Sequence, residues 1–312
     1  MKKIFCLLMC AFCLFASCRQ KSVNQESEGK VRVLATIFPV YDWAKNVIGG
    51  SENVSLDLLL KDGVDMHSFQ PSAADIVKIS TADIFIYVGG ESDAWVENAL
   101  KNAANEKTIV INLMDVLKGF VKEEEIVEGM QGEAGKPHEE AELDEHVWLS
   151  LNNAIASSNE IARALMEKDP DNAQLYMANL VAYVDKLSDL KNEFEAAFSD
   201  KTIIVCDRFP FRYLTDEFGI KYFAAFSGCS AESEASFDTI AFLSVKLHNL
   251  EAPGVFVTES ADKKIARTVI SSSGVKDCKI IVLDSMQSTT FKQVKKGADY
   301  LDIMRANLEA LR

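Results

Sequence analysis

Two histidines and one aspartate of this chain lie where metal ligands are commonly found. His67 lies in segment 63–72, between a predicted strand and a predicted helix, and His146 lies just before a long helical pattern. Asp284 follows the apolar run 279–283. Neutral imidazoles suit zinc and similar metals, and carboxylates complete such sites. Because the chain has only 4 histidines, these positions predict a transition-metal site.

The elements predicted around these residues explain how they could meet. Short apolar runs alternate with helical patterns over residues 31–150 and again over 200–312. This alternation indicates an α/β fold of two Rossmann-like lobes, each with a mainly parallel sheet. Ligands of such sheets bind beyond the carboxyl ends of the strands, so two facing lobes would share one site in their cleft. No internal sequence repeat relates the two lobes.

Two further segments join or extend the lobes. Residues 151–199 carry Leu, Ala, Ile and Met at spacings of three and four, interrupted at Asp169-Pro170. This pattern predicts one long, rigid helix that connects the lobes. Residues 121–145 are rich in Glu and contain several Gly, which predicts a mobile acidic surface loop of the N-terminal lobe.

The N-terminal segment indicates export. Two lysines precede the apolar run 4–15, which is too short to cross a bilayer core of ~30 Å, so residues 1–17 are predicted to be a signal peptide. Cys18 follows two small residues in an arrangement that resembles a bacterial lipobox. We therefore expect a lipid on Cys18, a polar tether at 18–30 and an anchor at the cell envelope, periplasmic or on the outer surface.

Charge and cysteine content narrow the functional classes. The chain has 47 acidic and 33 basic residues and a net charge of −14, which disfavours nucleic acid as a partner. Beyond Cys18, the mature chain would retain Cys206, Cys229 and Cys278. Three thiols permit at most one disulfide, and their spacing matches no zinc-binding pattern. We therefore expect none of the three to bind metal.

Several segments resemble the zinc and manganese group of solute-binding proteins of ABC transporters. GVDMHSFQPSAAD at residues 63–75 resembles that family's first ligand segment, and DEHVWL at 144–149 resembles the second. Further similar segments are residues 82–90, 234–236, 257–260 and 283–285. The resemblance runs from about residue 31 to 312 and implies two lobes, a rigid connecting helix and a metal site between the lobes.

The resemblance also implies a ligand set. His67 and His146 would be ligands from the N-terminal lobe, and Asp284 a ligand from the C-terminal lobe. Glu259 matches an acidic position near the site and is a weaker candidate. His138 lies in the acidic loop, where zinc-preferring relatives often carry histidines, and would make only weak metal contacts.

The third ligand of the family, a His or a Glu, has no direct counterpart in this chain. When the segment is aligned on Phe211 and Tyr213, its position holds Arg208, whose guanidinium has no lone pair to offer. Three alternatives stay open. Asp207 replaces the ligand, water fills the position, or Arg208 pairs with Asp284 and weakens the site.

We therefore expect a monomeric, non-catalytic receptor that captures a divalent metal and delivers it to an ABC permease in the membrane. Zinc is the expected metal, with manganese or iron next, because carboxylate ligands would shift the preference towards them. One alternative is a surface adhesin or lipoprotein with a degenerate metal site, which Arg208 would explain. The other is a metallohydrolase, although the chain has no HExxH motif.

Overall fold

The computed structural model of the chain describes residues 29–101, 103–131, 142–230 and 234–312. The predicted signal peptide at 1–17, the lipidation site Cys18, most of the tether at 18–30 and His138 lie outside the described residues. Within the described ranges, no helix combines the length and the apolar character that a membrane span requires.

The N-terminal lobe is a four-stranded parallel sheet in the order β2-β1-β3-β4. Its central strands are buried by helices on both faces, which explains why they read as continuous apolar runs. The elements are β1 (Val31–Ala35), α1 (Phe38–Ile48), β2 (Val54–Leu58), α2 (Ala73–Thr81), β3 (Ile84–Tyr87), α3 (Trp95–Leu100), β4 (Ile109–Asn112) and α4 (Leu113–Val116).

The connecting segment is two helices, whereas the sequence pattern predicted one over 151–199. Helix α5 (Leu151–Lys168) ends at Asp169, and α6 (Ala173–Ala197) begins after the 3-10 turn Pro170–Asn172. Pro170 has no N–H to donate and disfavours helical backbone at the residue before it, so it ends α5. Helix α5 packs against α6 and against α1 of the N-terminal lobe. The 25-residue helix α6 packs against α1 of the N-terminal lobe and against α11 (Tyr300–Leu311) of the C-terminal lobe, so it contacts both lobes.

The C-terminal lobe has the same architecture in the order β6-β5-β7-β8, again with all strands parallel. Its elements are β5 (Thr202–Phe209), α7 (Arg212–Glu217), β6 (Lys221–Ser227), α8 (Phe237–Leu250), β7 (Gly254–Thr258), α9 (Lys264–Ser273), β8 (Lys279–Leu283), α10 (Phe291–Val294) and α11 (Tyr300–Leu311). The prediction of two α/β lobes with parallel sheets is confirmed.

The acidic segment 121–145 was predicted to be a loop of the N-terminal lobe, but residues 122–131 of it contact the C-terminal lobe, whereas Glu145 stays with the N-terminal lobe. The backbone N–H of Gln131 donates to the carbonyl oxygen of Ala225 at 2.8 Å. The hydroxyl of Tyr222 donates to Glu125 at 3.0 Å. The segment crosses because its polar groups find hydrogen-bond partners beside β6, which composition alone does not reveal.

A buried tryptophan fastens the two lobes together next to their cleft. Trp148 is 0% exposed, and its indole N–H donates to the carbonyl oxygen of Ser285 at 2.9 Å. The hydroxyl of Tyr300 donates to the carbonyl oxygen of Trp148 at 2.7 Å. One hydrophobic core runs through both lobes and the two connecting helices. His67, which follows β2, lies 3.3 Å from Gln287, which follows β8, so the carboxyl ends of the two sheets meet at a cleft between the lobes.

Candidate metal centre

Two imidazoles form the centre of the cleft. His67 lies in the 3-10 turn Met66–Ser68 after β2, and His146 directly precedes the 3-10 turn Val147–Leu149 before α5. Their Nε2 atoms are 3.3 Å apart, although the residues are separated by 79 positions. Two imidazoles bound to one tetrahedral zinc ion, with Zn–N distances of ~2.0–2.1 Å, have their nitrogens about 3.3–3.4 Å apart. The pair therefore has the spacing of a shared zinc site.

A buried carboxylate orients the imidazole of His146. Its Nδ1 lies 2.8 Å from Oδ1 of Asp144, and the same oxygen accepts the backbone N–H of His146 at 2.9 Å. An ionised carboxylate can only accept, so Nδ1 carries the hydrogen and Nε2 keeps its lone pair. Carboxylate–histidine pairs of this kind are common behind metal ligands.

The imidazole of His67 is held in a similar way from behind. Its Nδ1 lies 2.7 Å from the hydroxyl oxygen of Ser92 and 3.4 Å from Oε2 of Glu145. Glu145 packs so closely on the turn after β3 that a Cβ at Gly90, where φ is +81°, would lie 2.3 Å from it. Burial, and then the neighbouring His146, lower the pKa of His67 to about 4. The ring is therefore neutral at pH 7 and able to bind metal.

The amide of Gln287 lies across the two imidazoles. Its Nε2 is 2.8 Å from Nε2 of His146 and 3.3 Å from Nε2 of His67. Because Nδ1 of His146 carries the hydrogen, the amide of Gln287 is the donor in this contact and the Nε2 lone pair of His146 accepts. This side chain places partial positive charge at the position that a metal ion would occupy.

Glu259 supports the loop that carries Gln287. Its carboxylate accepts the backbone N–H of Ser285 at 2.9 Å and that of Ser288 at 3.2 Å. It also accepts both hydroxyls, each at 3.0 Å. These bonds turn both oxygens of Glu259 towards the loop that carries Gln287. Glu259 therefore holds this loop in place on the C-terminal side of the cleft.

Asp284 directly follows β8, and it is not among the potential ligands that lie within 4.8 Å of one another in the described residues. Its Oδ1 accepts the N–H of Met286 at 2.7 Å, and its own N–H donates to Asn307 at 2.8 Å. Burial, followed by the nearby carboxylate of Glu259, raises the pKa of Asp284 to about 6. A nearby cation would stabilise the ionised form of this buried carboxylate.

Asp207 and Arg208 are both engaged away from the imidazoles. Oδ2 of Asp207 accepts the backbone N–H of Thr258 at 3.1 Å and the Thr258 hydroxyl at 2.5 Å. The guanidinium of Arg208 pairs with Asp65 at 3.0 Å. The pairing of Arg208 with Asp284 that the sequence left open is therefore not formed. The register of β5 against β6 shifts just before Arg208, which turns its side chain towards the N-terminal lobe.

The sequence analysis missed Gln287 and Cys229. The Cys229 sulfur and one ring nitrogen of each of His67 and His146 all lie within 4.8 Å of one another, and this is the group of potential metal ligands in the described part of the chain. Burial, and then the carboxylate of Glu124, raise the pKa of the Cys229 thiol. One signal was available, because Cys229 follows β6 at the same edge at which Asp284 follows β8.

Known proteins resemble the chain in both sequence and fold. The family model for zinc-uptake complex component A, periplasmic (ZnuA), matches residues 33–312. Zinc-binding protein AdcA of Streptococcus pyogenes is 32% identical over 322 residues, which cover 100% of this chain and 61% of AdcA. High-affinity zinc uptake system protein ZnuA of Bacillus subtilis is 31% identical over 319 residues, which cover 99% of this chain and 96% of that protein.

A solved structure agrees with these sequence matches. The crystal structure of the Zn(II)-bound ZnuA-like domain of Streptococcus pneumoniae AdcA matches with a TM-score of 0.69 and 28% identity. The match covers 91% of this chain and 98% of that domain. The chain thus spans 61% of the length of the AdcA relative and nearly all of its ZnuA-like counterparts. Since the family match extends over both lobes, the chain belongs to the ZnuA family of zinc-uptake components.

Proposed function

We propose that this protein is a non-catalytic receptor that binds a divalent transition metal between its lobes and delivers it to an ABC permease. The observation that carries the proposal is the 3.3 Å separation of the two imidazole Nε2 atoms, with Nδ1 of each ring within hydrogen-bond distance of a side chain behind it. Membership of the ZnuA family supports transport as the purpose of the site.

Zinc is the metal that these ligands favour. His67 and His146 are the proposed ligands from the N-terminal lobe, and Asp284 is the proposed acidic ligand from the C-terminal lobe. Two imidazole nitrogens at tetrahedral spacing suit zinc better than manganese, which prefers a shell of oxygens. Iron(II) and manganese are the competitors against which the affinity for zinc is to be measured.

Export and anchoring complete the proposal. A lipid on Cys18 and the polar tether at 18–30 would hold the monomeric receptor at the cell envelope, close to the permease. The relative from Streptococcus pneumoniae, 32% identical over 317 residues, bears the name zinc-binding lipoprotein AdcA. Mass spectrometry of the mature N-terminus, with a diacylated cysteine as the expected result, tests the anchor.

Calorimetry of the mature protein after removal of metal tests the capture function. We expect tight one-to-one binding of zinc that is lost in the His67→Ala and His146→Ala variants. His248→Ala is the matched control, because His248 lies on α8 and bonds to the carbonyl oxygen of Ser273 at 3.2 Å, outside the cleft. A protein that binds no metal, or whose binding survives both substitutions, would contradict the proposal and leave the adhesin as the better interpretation.

A further inference from the structure

We propose that Cys229 is a metal ligand, which the C-terminal lobe supplies as a thiolate in place of the family's usual third ligand. The inference rests on the proposed function and deepens it, because a thiolate defines the class of cargo. Two imidazoles and one thiolate favour zinc or other thiophilic ions and disfavour manganese.

The distances suit a shared ion. The Cys229 sulfur and the two ring nitrogens lie within 4.8 Å of one another. On a tetrahedral zinc ion, with Zn–S of ~2.3 Å and Zn–N of ~2.0–2.1 Å, sulfur and nitrogen are about 3.5 Å apart. A side-chain movement of about 1 Å therefore brings the sulfur into the first coordination shell.

The loop that carries Cys229 is built against the imidazole of His146. A Cβ at Gly228 would lie 2.9 Å from Cε1 of His146 and 3.0 Å from the carbonyl oxygen of Phe209. Any larger residue at position 228 would push the loop away from the ring. On the other side, the backbone N–H of Cys229 donates to Glu124 at 2.9 Å, so the acidic segment holds the loop in place.

The end of β5 supplies no competing ligand. Both carboxylate oxygens of Asp207 accept hydrogen bonds from the backbone or side chains of its own lobe. Arg208 is protonated and paired with Asp65. The neighbouring strand β6 ends at Ser227, and Cys229 follows it at the same edge of the sheet. The donor has therefore moved from the end of β5 to the end of β6.

The other thiols of the described chain are placed differently. Cys206 is buried in a hydrophobic cluster of the C-terminal lobe that is separate from the shared core and includes Ile204 and Phe226. Cys278 directly precedes β8, so it lies at the sheet edge opposite to the one that carries Asp284. Cys278 is partly exposed and free, like Cys229, and is therefore a matched control.

Cobalt(II) spectroscopy of the mature protein tests for the thiolate bond directly. We expect an intense thiolate-to-cobalt charge-transfer band in the near ultraviolet for the wild type and for Cys278→Ser. The band should vanish in Cys229→Ser. The Kd of that variant for zinc should rise by on the order of 100-fold or more, since the loss of mere supporting residues already costs ~10–100-fold.

Alkylation of the wild type gives a second readout that does not depend on the folding of any variant. Zinc should protect Cys229 from iodoacetamide, as measured by mass spectrometry of peptides, whereas Cys278 should react equally with and without zinc. If the wild type binds zinc with no charge-transfer band and no protection of Cys229, the inference is wrong while the capture function stands. If the wild type binds no zinc, both fail.

Discussion

The two lobes share one strand order but contribute to the metal centre in different ways. The N-terminal lobe supplies both imidazoles, and each has a partner behind it that sets its orientation. From the C-terminal lobe, Gln287 after β8 and Cys229 after β6 lie close to the imidazoles, and Asp284 is a proposed ligand. One lobe thus holds a half-site ready for metal, and the other provides groups that complete or cover it.

This division suggests how capture proceeds. The amide of Gln287 lies 2.8 Å from Nε2 of His146 and 3.3 Å from Nε2 of His67, the two atoms that a shared metal would need. A metal ion bound to both imidazoles would have to take the place of this amide. Contacts away from the site, such as the bond between Trp148 and Ser285, tie the lobes together and keep the required movement small.

Apart from the substitution of proposed ligands, the largest effect that we expect concerns the junction of the lobes. Asp42 of α1 is 0% exposed and accepts the backbone N–H of Tyr300 at 3.1 Å. Burial, and then the carboxylate of Asp299, raise the pKa of Asp42 from 3.8 to about 6. The folded protein therefore binds this proton more tightly than the unfolded chain does. The stabilisation is present below pH ~4 and is lost as the pH rises through about 6.

The Asp42→Asn variant tests that junction. A pKa change of this size corresponds to roughly 3 kcal/mol, so the change in unfolding free energy between pH 8 and pH 4 should differ from that of the wild type by about 2–3 kcal/mol. Urea denaturation of the metal-free protein measures it, with the exposed Asp115→Asn as control. An unaltered pH dependence would show that Asp42 titrates normally and that its burial at the junction does not lower the free energy of unfolding at neutral pH.

The next effect concerns the half-site of the N-terminal lobe. Asp144→Ala removes the acceptor that orients His146, and we expect the Kd for zinc to rise by ~10–100-fold. Calorimetry measures this, and Asp115→Ala is the control because Asp115 is exposed on α4. Wild-type affinity in Asp144→Ala would mean that the N-terminal half-site is not prebuilt, which would break the contrast between the lobes.

A smaller effect should come from the loop of the C-terminal lobe. Gln287→Ala removes the amide that lies against both imidazoles, and its hydrogen bond to His146 is worth ~0.5–1.5 kcal/mol. We expect zinc to bind several-fold more tightly and to associate faster, as stopped-flow measurements with a competing chelator would show. Weaker binding would instead identify the amide oxygen of Gln287 as a ligand, and the C-terminal lobe would then complete the shell in another way.

The smallest effect should follow from breaking the ion pair across the cleft. Arg208 and Asp65 keep 25% and 28% of their side-chain surface exposed, and pairs of this kind contribute ~0–1 kcal/mol. A double-mutant cycle of Arg208→Met and Asp65→Asn should give a coupling energy in that range, with zinc affinity changed by less than about tenfold. A much larger loss of affinity would make Arg208 part of the binding machinery.

Local patterns were sufficient to predict most of the fold. The strands of both lobes read as apolar runs because parallel strands are buried on both faces, and that property is visible residue by residue. The prediction that residues 151–199 are largely helical was also correct. The sequence pattern is interrupted at Pro170, but only the backbone geometry shows that two helices result and that they pack side by side.

The site could be predicted only in part. His67 and His146 stood out because histidines are few and both lie in segments that resemble known ligand segments. Cys229 and Gln287 belong to no local sequence motif. The recognised zinc-binding spacings of cysteines describe ligands that lie close together in sequence. The partner of Arg208 was also open, because Asp65 lies 143 residues away on the other lobe.

The sequence by itself determined the two lobes, their strands and the residue types available for binding metal, since apolar periodicity and side-chain chemistry are local properties. Only the tertiary structure decided which side chains meet. The acidic segment crosses to the second lobe, Gly228 allows its loop to touch His146, and the shifted register of β5 turns Arg208 towards Asp65. Contacts across the cleft depend on how two separately folded sheets pack against each other, and no pattern within either one encodes that arrangement.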